Sequence, residues 1–181
     1  MGYIFSLFSS NKKEYFISLI GCENTGKTTL INKLRRDNGI FIPPNIGFEN
    51  EVNYKKMKIK EDNLLSHILF KKRNLYEKNL YIKYINGGCV NGIIFVVDSS
   101  DKEEIQKSFE ILLEFFTKID NKIPILIIAN KQDVEGTLSL NEISYISNLK
   151  NLYEKEWKII GASLDYYSGF YKGLDWLDSL L

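Results

Sequence analysis

The chain has 181 residues, of which 44% are hydrophobic and 26% charged, and its formal net charge is +1 at neutral pH. These values are those of one ordinary folded domain, and they exclude a general electrostatic attraction to nucleic acid. Cys22 and Cys89 form neither a metal spacing nor a disulfide framework, which fits a reducing cytosol. No apolar run approaches the roughly 18 residues of a membrane span, and no cleavable signal is evident.

A glycine loop near the amino end is the strongest local signal. Residues 21–28 read G-C-E-N-T-G-K-T, follow the apolar run Tyr15–Ile20 and precede the helix-like residues 29–34. Strand, glycine loop and helix in this order are the context of a phosphate-binding loop. The two glycines let backbone N–H groups point at a phosphate, and a helix beginning at about Lys27 adds its positive dipole end.

The loop side chains have distinct predicted tasks. Lys27 supplies a positive charge to the β- and γ-phosphates, and the Thr28 hydroxyl can ligate Mg²⁺. The predicted phosphate-binding residues are Gly21, Cys22, Glu23, Asn24, Thr25, Gly26, Lys27, Thr28 and Thr29.

Two later runs, Ile93 to Asp98 and Pro124 to Ala129, are almost entirely apolar. Such runs are typical of strands buried on both faces of a parallel sheet. Between them, Asp101 to Ile119 has the periodicity of an amphipathic helix, with Asp101 at its amino end. The sequence predicts a doubly wound α/β domain with a mostly parallel sheet of about six strands and helices on both faces.

The motif Asn130-Lys131-Gln132-Asp133 follows the second run and indicates the base. The Asp133 carboxylate can accept from N1–H and the 2-amino group of guanine, and such charge-assisted bonds contribute about 1.5–3 kcal/mol each. Lys131 can lie along the base, and Asn130 can connect the two loops. Adenine does not offer this pairing, so an ATP-using kinase is excluded.

A last strand is expected at residues 157–160, followed by the loop Gly161-Ala162-Ser163. The backbone N–H groups of that loop can meet the guanine O6. The predicted guanine-binding residues are therefore Asn130, Lys131, Asp133, Ala162 and Ser163.

Several groups of residues occur in a fixed order along most of the chain. They are Met1-Gly2 with Ile4-Phe5 and Leu7-Phe8, Gly26 to Thr29, Ile46-Gly47-Phe48, Ile94 to Ser99, Ala129 to Asp133, and Gly173 to Leu177. On these motifs the chain resembles an Arf-family or Arf-like small GTPase. The resemblance implies a small P-loop G-domain, GTP or GDP with Mg²⁺, a cytosol–membrane cycle, a role in membrane or vesicle traffic, and protein effectors that the sequence does not name. We expect a monomer.

The amino-terminal segment 1–14 is predicted to be amphipathic and to reach a membrane surface, with residues 15–181 as the G-domain. Gly2 fits the N-myristoylation pattern, with Ser6 in place. An unmodified helix packed on the domain is the alternative. We expect a cytoplasmic protein with peripheral membrane association.

Both switches depart from the family. In the first, the family has a threonine that ligates Mg²⁺ just before Ile-Gly-Phe, whereas Asn45 stands here. An Asn carbonyl can ligate Mg²⁺, so we expect Thr28 and Asn45 as ligands of a weakened site. In the second, the family has D-x-G-G-Q, whose Asp orders the Mg²⁺ shell, whose glycine senses the γ-phosphate and whose Gln positions water. This chain has no glycine between Phe48 and Asn86 and no glutamine before Gln106.

The second switch region is also longer than in the family. We interpret the additional length as a hairpin with strands at 51–60 and 64–70 and a turn at 61–63, which puts the missing motif near 72–76. A gapless comparison instead puts it at 63–67, with His67 at the glutamine position. His67 is then the one catalytic candidate, for positioning water; the alternative is a side chain on the hairpin surface. The many lysines of this region form either a solvated edge or a patch for anionic lipid or an acidic partner.

Two functions stay open. One is a GTPase switch whose missing groups come from a partner. The other is a guanine-nucleotide-binding module with weak or absent hydrolysis, which the loss of the Gln and the sensing glycine favours.

Overall fold

The computed structural model describes residues 13–39, 50–72, 75–163 and 167–181. The predicted lipidation residue Gly2 and the predicted metal ligand Asn45 lie outside these ranges.

A six-stranded sheet forms the centre of the domain. Its strands are β1 (Tyr15–Ile20), β2 (Glu51–Tyr54), β3 (Met57–Glu61), β4 (Gly92–Asp98), β5 (Ile125–Asn130) and β6 (Trp157–Gly161). The spatial order is β2-β3-β1-β4-β5-β6, and only the β2–β3 pair is antiparallel. The predicted doubly wound, mostly parallel sheet is confirmed, and its carboxyl edge collects the loops after β1, β4, β5 and β6.

Six α-helices flank the sheet within the described ranges. They are α1 (Lys27–Asp37), α2 (Asn63–His67), α3 (Leu75–Tyr84), α4 (Lys102–Phe116), α5 (Leu140–Ile146) and α6 (Ser168–Ser179). Asp101 caps α4 by accepting from Glu104 N at 2.8 Å, as predicted, although α4 ends three residues before the expected Ile119. Among the described helices, none has the length and apolarity needed to cross a bilayer.

Hydrophobic side chains pack on both faces of the sheet. On β4, Ile93, Phe95 and Val97 point to the layer that contains α4, and the Phe95 ring meets the Phe109 ring edge-on. The alternate residues Ile94 and Val96 pack in the layer that contains α1 and α6. Burial on both faces explains why these strands read as continuous apolar runs rather than alternating ones.

The antiparallel hairpin is shorter than the sequence suggested. Tyr54 pairs with Met57 across a two-residue turn, in which Lys55 has a φ of 53°. The predicted second strand at 64–70 is wrong, because those residues form α2 and a following π-helical turn, Ile68–Lys72. A further π-helical turn, Ile85–Cys89, follows α3.

The reason for this difference lies in Asp62 and in the spacing of the buried residues. The Asp62 carboxylate accepts from Leu65 N at 2.8 Å and so caps α2. Leu65, Ile68 and Leu69 are buried, which is the i, i+3, i+4 spacing of a helix face and not the alternation of a strand. The expected turn at 61–63 is therefore the end of β3 and the start of α2, so the hairpin on which the placement of the missing motif near 72–76 depended is not formed.

Candidate nucleotide-binding site

The loop between β1 and α1 encloses the amine of Lys27. This residue is only 7% exposed, and its Nζ donates to the carbonyl oxygens of Gly21 at 3.0 Å and Cys22 at 2.5 Å. Burial lowers the pKa of the Lys27 ammonium from its ordinary value, while nearby Glu61 opposes that change. Thr25 closes the loop from the other side by donating to Cys22 O at 3.0 Å. The geometry presents a partly desolvated cation inside a glycine loop, which is the arrangement that phosphate recognition needs.

Two close approaches explain the glycines of this loop. A Cβ at Gly21 would lie 2.4 Å from Val96 O, and one at Gly26 would lie 2.2 Å from Asn130 Nδ2. Gly26 also has a φ of 97°, which L side chains rarely adopt. Both positions therefore require glycine, because any side chain would clash there.

Cys22 is a neutral group in this loop. Burial, and next the adjacent Glu104 carboxylate, raises the pKa of the Cys22 thiol to about 12. The thiol therefore brings no negative charge to the loop, and it shares a hydrogen bond with Glu104 of α4.

The first turn of α1 is joined to the end of β3 by Thr28 and Glu61. The Thr28 hydroxyl lies 3.0 Å from each Glu61 carboxylate oxygen, and Asn50 Nδ2 donates to Glu61 Oε2 at 2.8 Å. Glu61 is 7% exposed and pairs in register with Leu19 of β1. The position of Glu61 next to Thr28 depends on this strand pairing. The sequence pattern put Glu61 in a turn and therefore did not predict the contact.

Thr28 and Glu61 are suitable groups for Mg²⁺. The ion prefers hard oxygen ligands and keeps several waters, which a carboxylate can orient. Thr28 would hold the ion, and Glu61 would orient the hydroxyl or a bound water. The gapless comparison puts Asn63 at the carboxylate position of the family motif, whereas the carboxylate that contacts Thr28 is two residues earlier.

The loop after β5 is tied to the phosphate loop by Asn130. Its Nδ2 donates to Thr25 O at 2.8 Å, which is the connection between loops that the sequence predicted. Lys131, with a φ of 63°, forms an ion pair with Asp98 at 2.5 Å. Asp98 ends β4 and lies opposite Asn130 in register, so it orients the lysine stem, a contact that the sequence pattern did not predict. Asp133 is exposed at the same edge.

The loop after β6 joins the Asn130 loop through backbone hydrogen bonds. Ala162 N donates to Ala129 O at 2.9 Å, and Gln132 N donates to Ala162 O at 3.1 Å. Ala162 and Ser163 are both buried there. The structure thus brings the predicted phosphate and guanine residues to one edge of the sheet, in two connected groups.

Comparison with known proteins agrees with this site. Over residues 1–181 the sequence matches the ADP-ribosylation factor family. The chain belongs to this family. As a member, it is a small GTP-binding protein of the switch type.

Three relatives in the Arf family cover nearly the whole chain. ADP-ribosylation factor K of Dictyostelium discoideum is 33% identical over 181 residues, which is 98% of this chain and 90% of that protein. ADP-ribosylation factor-like protein 6 of Danio rerio is 33% identical over 171 residues, covering 92% and 88%. ADP-ribosylation factor-like protein 1 of Saccharomyces cerevisiae is 34% identical over 184 residues, covering 98% and 95%.

Helix α2 contains residues 63–67, where the gapless comparison puts the missing D-x-G-G-Q segment. His67 is exposed at its last position and borders a cavity of about 250 Å³ beside Gly21 and Lys27. The interpretation of His67 as a side chain on a hairpin surface is therefore wrong. Ser66, for which no motif predicted a functional role, borders the same cavity.

Proposed function

We propose that this Arf-family protein binds GTP and GDP with Mg²⁺, hydrolyses GTP weakly or not at all, and acts in membrane or vesicle traffic. The observation that carries the nucleotide part is the hydrogen bond from Asn130 to Thr25, because it joins a phosphate loop to a guanine loop at the expected edge of the sheet. Thr28 and Glu61 support the Mg²⁺ part. The remaining phosphate-loop residues and Asp133, Ala162 and Ser163 keep their predicted tasks in this proposal.

The backbone of α2 supports weak hydrolysis. Leu65 N donates to the Asp62 carboxylate at 2.8 Å, and Ser66 N donates to Asp62 O at 3.0 Å. Because both amides already donate hydrogen bonds within the protein, they can bind a γ-phosphate, as the family's glycine N–H does, only if the helix unwinds. No glutamine is present in this region to position water.

The alternative is a conventional switch whose hydrolysis a partner completes. The position of His67 at the cavity favours it, because an imidazole can orient a water by hydrogen bonding. A partner could supply further groups in trans, as activating proteins do for other GTPases.

We further propose that residues 1–14 form a membrane-binding segment, myristoylated at Gly2, ahead of a G-domain at 15–181. At the junction two positive charges lie close together, since the Lys13 and Lys56 amines are 4.8 and 5.3 Å from the centre of the Tyr15 ring. A single myristoyl chain binds membranes with only about 10⁴ M⁻¹, so added positive charge is useful. Two other lysines of the hairpin are paired with carboxylates, Lys58 with Glu51 at 3.0 Å and Lys55 with Asp175 at 2.8 Å. Co-sedimentation of myristoylated and unmodified protein with anionic vesicles tests this part; equal binding of the two forms would contradict the lipid anchor.

Two measurements on the purified full-length protein test the nucleotide proposal. The first is the affinity for GDP and for a non-hydrolysable GTP analogue with Mg²⁺, against ATP as competitor; equal competition by ATP would contradict guanine recognition. The second is a single-turnover assay with bound GTP. A rate well above about 10⁻⁴ s⁻¹, the unaided scale of a Ras-type protein, would contradict weak hydrolysis and favour the alternative.

A further inference from the structure

The side chain of Ser66 connects α2 to the phosphate loop. Ser66 is 9% exposed, its hydroxyl donates to Asp62 O at 2.8 Å, and the same oxygen lies 3.4 Å from Gly21 N. One short polar side chain therefore touches both helix α2 and the first residue of the glycine loop.

Ser66 also faces the space next to the phosphate-binding cation. The cavity of about 250 Å³ is bordered by Gly21, Lys27, Asn63, Ser66, His67 and Phe70, among others. Lys27 is the predicted partner of the β- and γ-phosphates, so a terminal phosphate beside its amine lies within this cavity. The Leu65 and Ser66 amides of α2 are already bonded to Asp62, whereas the side chain of Ser66 carries a hydroxyl that can change its partner.

A serine hydroxyl suits the task of reading a phosphate. Its proton can rotate from the Asp62 carbonyl to a phosphate oxygen without any movement of the backbone. A hydrogen bond to a charged acceptor is also roughly twice as strong as one to a neutral carbonyl. The exchange is therefore favourable when a terminal phosphate is present, and it does not arise with a diphosphate.

Asp62 also connects α2 to the neighbouring strand β1 and helix α3. The Asp62 carboxylate accepts from Ser18 of β1 at 3.2 Å and from Tyr81 of α3 at 3.4 Å. Ser66 bonds the carbonyl oxygen of Asp62 and these two residues bond its carboxylate, so a change at Ser66 reaches β1 and α3 only through a movement of Asp62 as a whole. The polar chain from Gly21 through Ser66 and Asp62 to Tyr81 thus spans from the phosphate loop to α3.

We propose that Ser66 is the specificity-determining residue that distinguishes GTP from GDP in this protein, in place of the glycine N–H of the family. The inference rests on the proposed guanine-nucleotide binding. It assigns the missing sensing task to a side chain of α2 rather than to a backbone amide.

The test compares Ser66→Ala with a matched control, Ser108→Ala. Ser108 is 3% exposed in α4, and its hydroxyl donates to the carbonyl of Ile105 at 3.0 Å. The Ser108→Ala variant therefore also loses one buried hydroxyl that is bonded to its own helix. The measured quantity is the ratio of the affinities for a non-hydrolysable GTP analogue and for GDP, with Mg²⁺. We expect Ser66→Ala to lower this ratio by about tenfold, Ser108→Ala to leave it unchanged, and Ser66→Thr, which keeps the hydroxyl, to restore most of it.

Two results would overturn the inference. An equal change in both affinities would make Ser66 merely structural, and tighter analogue binding by Ser66→Ala would mean that α2 obstructs the terminal phosphate. Hydrogen exchange of the α2 and α3 amides gives an independent readout, since the analogue should change exchange in the natural protein and not in Ser66→Ala. If the natural protein binds neither GDP nor the analogue, the proposed function itself fails, and the ratio is not needed to decide that.

Discussion

The Thr28 hydroxyl and the Glu61 carboxylate meet at the junction of α1 and β3, with both carboxylate oxygens 3.0 Å from Thr28 Oγ1. Asn50 holds Glu61 from the opposite side at 2.8 Å. The hydroxyl of Thr28, the predicted Mg²⁺ ligand, is thus held by a buried carboxylate. A carboxylate therefore lies beside Thr28 even though the sequence has no D-x-G-G-Q motif.

Replacing Glu61 with glutamine should weaken the dependence of nucleotide binding on Mg²⁺. The Glu61→Gln side chain keeps its shape but loses the negative charge that orients the hydroxyl or a metal-bound water. We expect GDP release to become about tenfold faster at millimolar Mg²⁺ and less sensitive to chelation. Release of a fluorescent GDP over a Mg²⁺ titration measures this. Glu51→Gln, in the neighbouring strand, is the control, and identical curves for both variants would argue against a role of Glu61.

Changing Asp133 to asparagine should remove the preference for guanine. The Asp133→Asn amide presents one donor and one acceptor where guanine needs two acceptors, so both charge-assisted bonds are lost or reversed. We expect GDP affinity to fall by at least about tenfold, given about 1.5–3 kcal/mol for each such bond. Competition by GDP, ADP and a xanthine nucleotide measures the preference. Glu135→Gln removes a charge from an exposed residue of the same loop and should leave the order of affinities intact.

The central strands and their loops were predictable because local signals there agree with the fold. Burial on both faces makes β4 and β5 continuous apolar runs. Asp101 is a favourable N-cap residue and so indicates the start of α4. Helix α2 was missed because a short apolar run does not separate a strand from a buried helix, and the deciding capping contact comes from Asp62. Glu61 was missed for a different reason: its task depends on the pairing of β3 with β1, which no local pattern encodes.

The two cysteines should differ sharply in their reactivity. Burial, and next Glu104, raises the pKa of the Cys22 thiol to about 12, which disfavours the reactive thiolate. Cys89 is exposed at the end of the π-helical turn after α3. We expect iodoacetamide to modify Cys89 first and Cys22 only after unfolding, as followed by peptide mass spectrometry. Rapid labelling of Cys22 in the folded protein would mean that the loop opens.

The contact between Gly26 and Asn130 can be tested apart from backbone strain. Gly26 has a φ of 97° and Gly136 a φ of 81°, so an alanine is strained at both positions, by about 1–2 kcal/mol. Only at Gly26 would the added Cβ meet a neighbour, Asn130 Nδ2 at 2.2 Å, whereas nothing lies within 4 Å at Gly136.

Gly26→Ala should therefore lose nucleotide affinity as well as stability, because the clash pushes Asn130 away from Thr25 and separates the guanine loop from the phosphate loop. Gly136→Ala should lose a similar amount of stability from strain alone and keep its GDP affinity. Thermal unfolding and GDP titration of the two variants measure the two effects separately. If both variants bind GDP equally well, the Asn130–Thr25 connection does not position the nucleotide, and the observation that carries the proposed function loses its force.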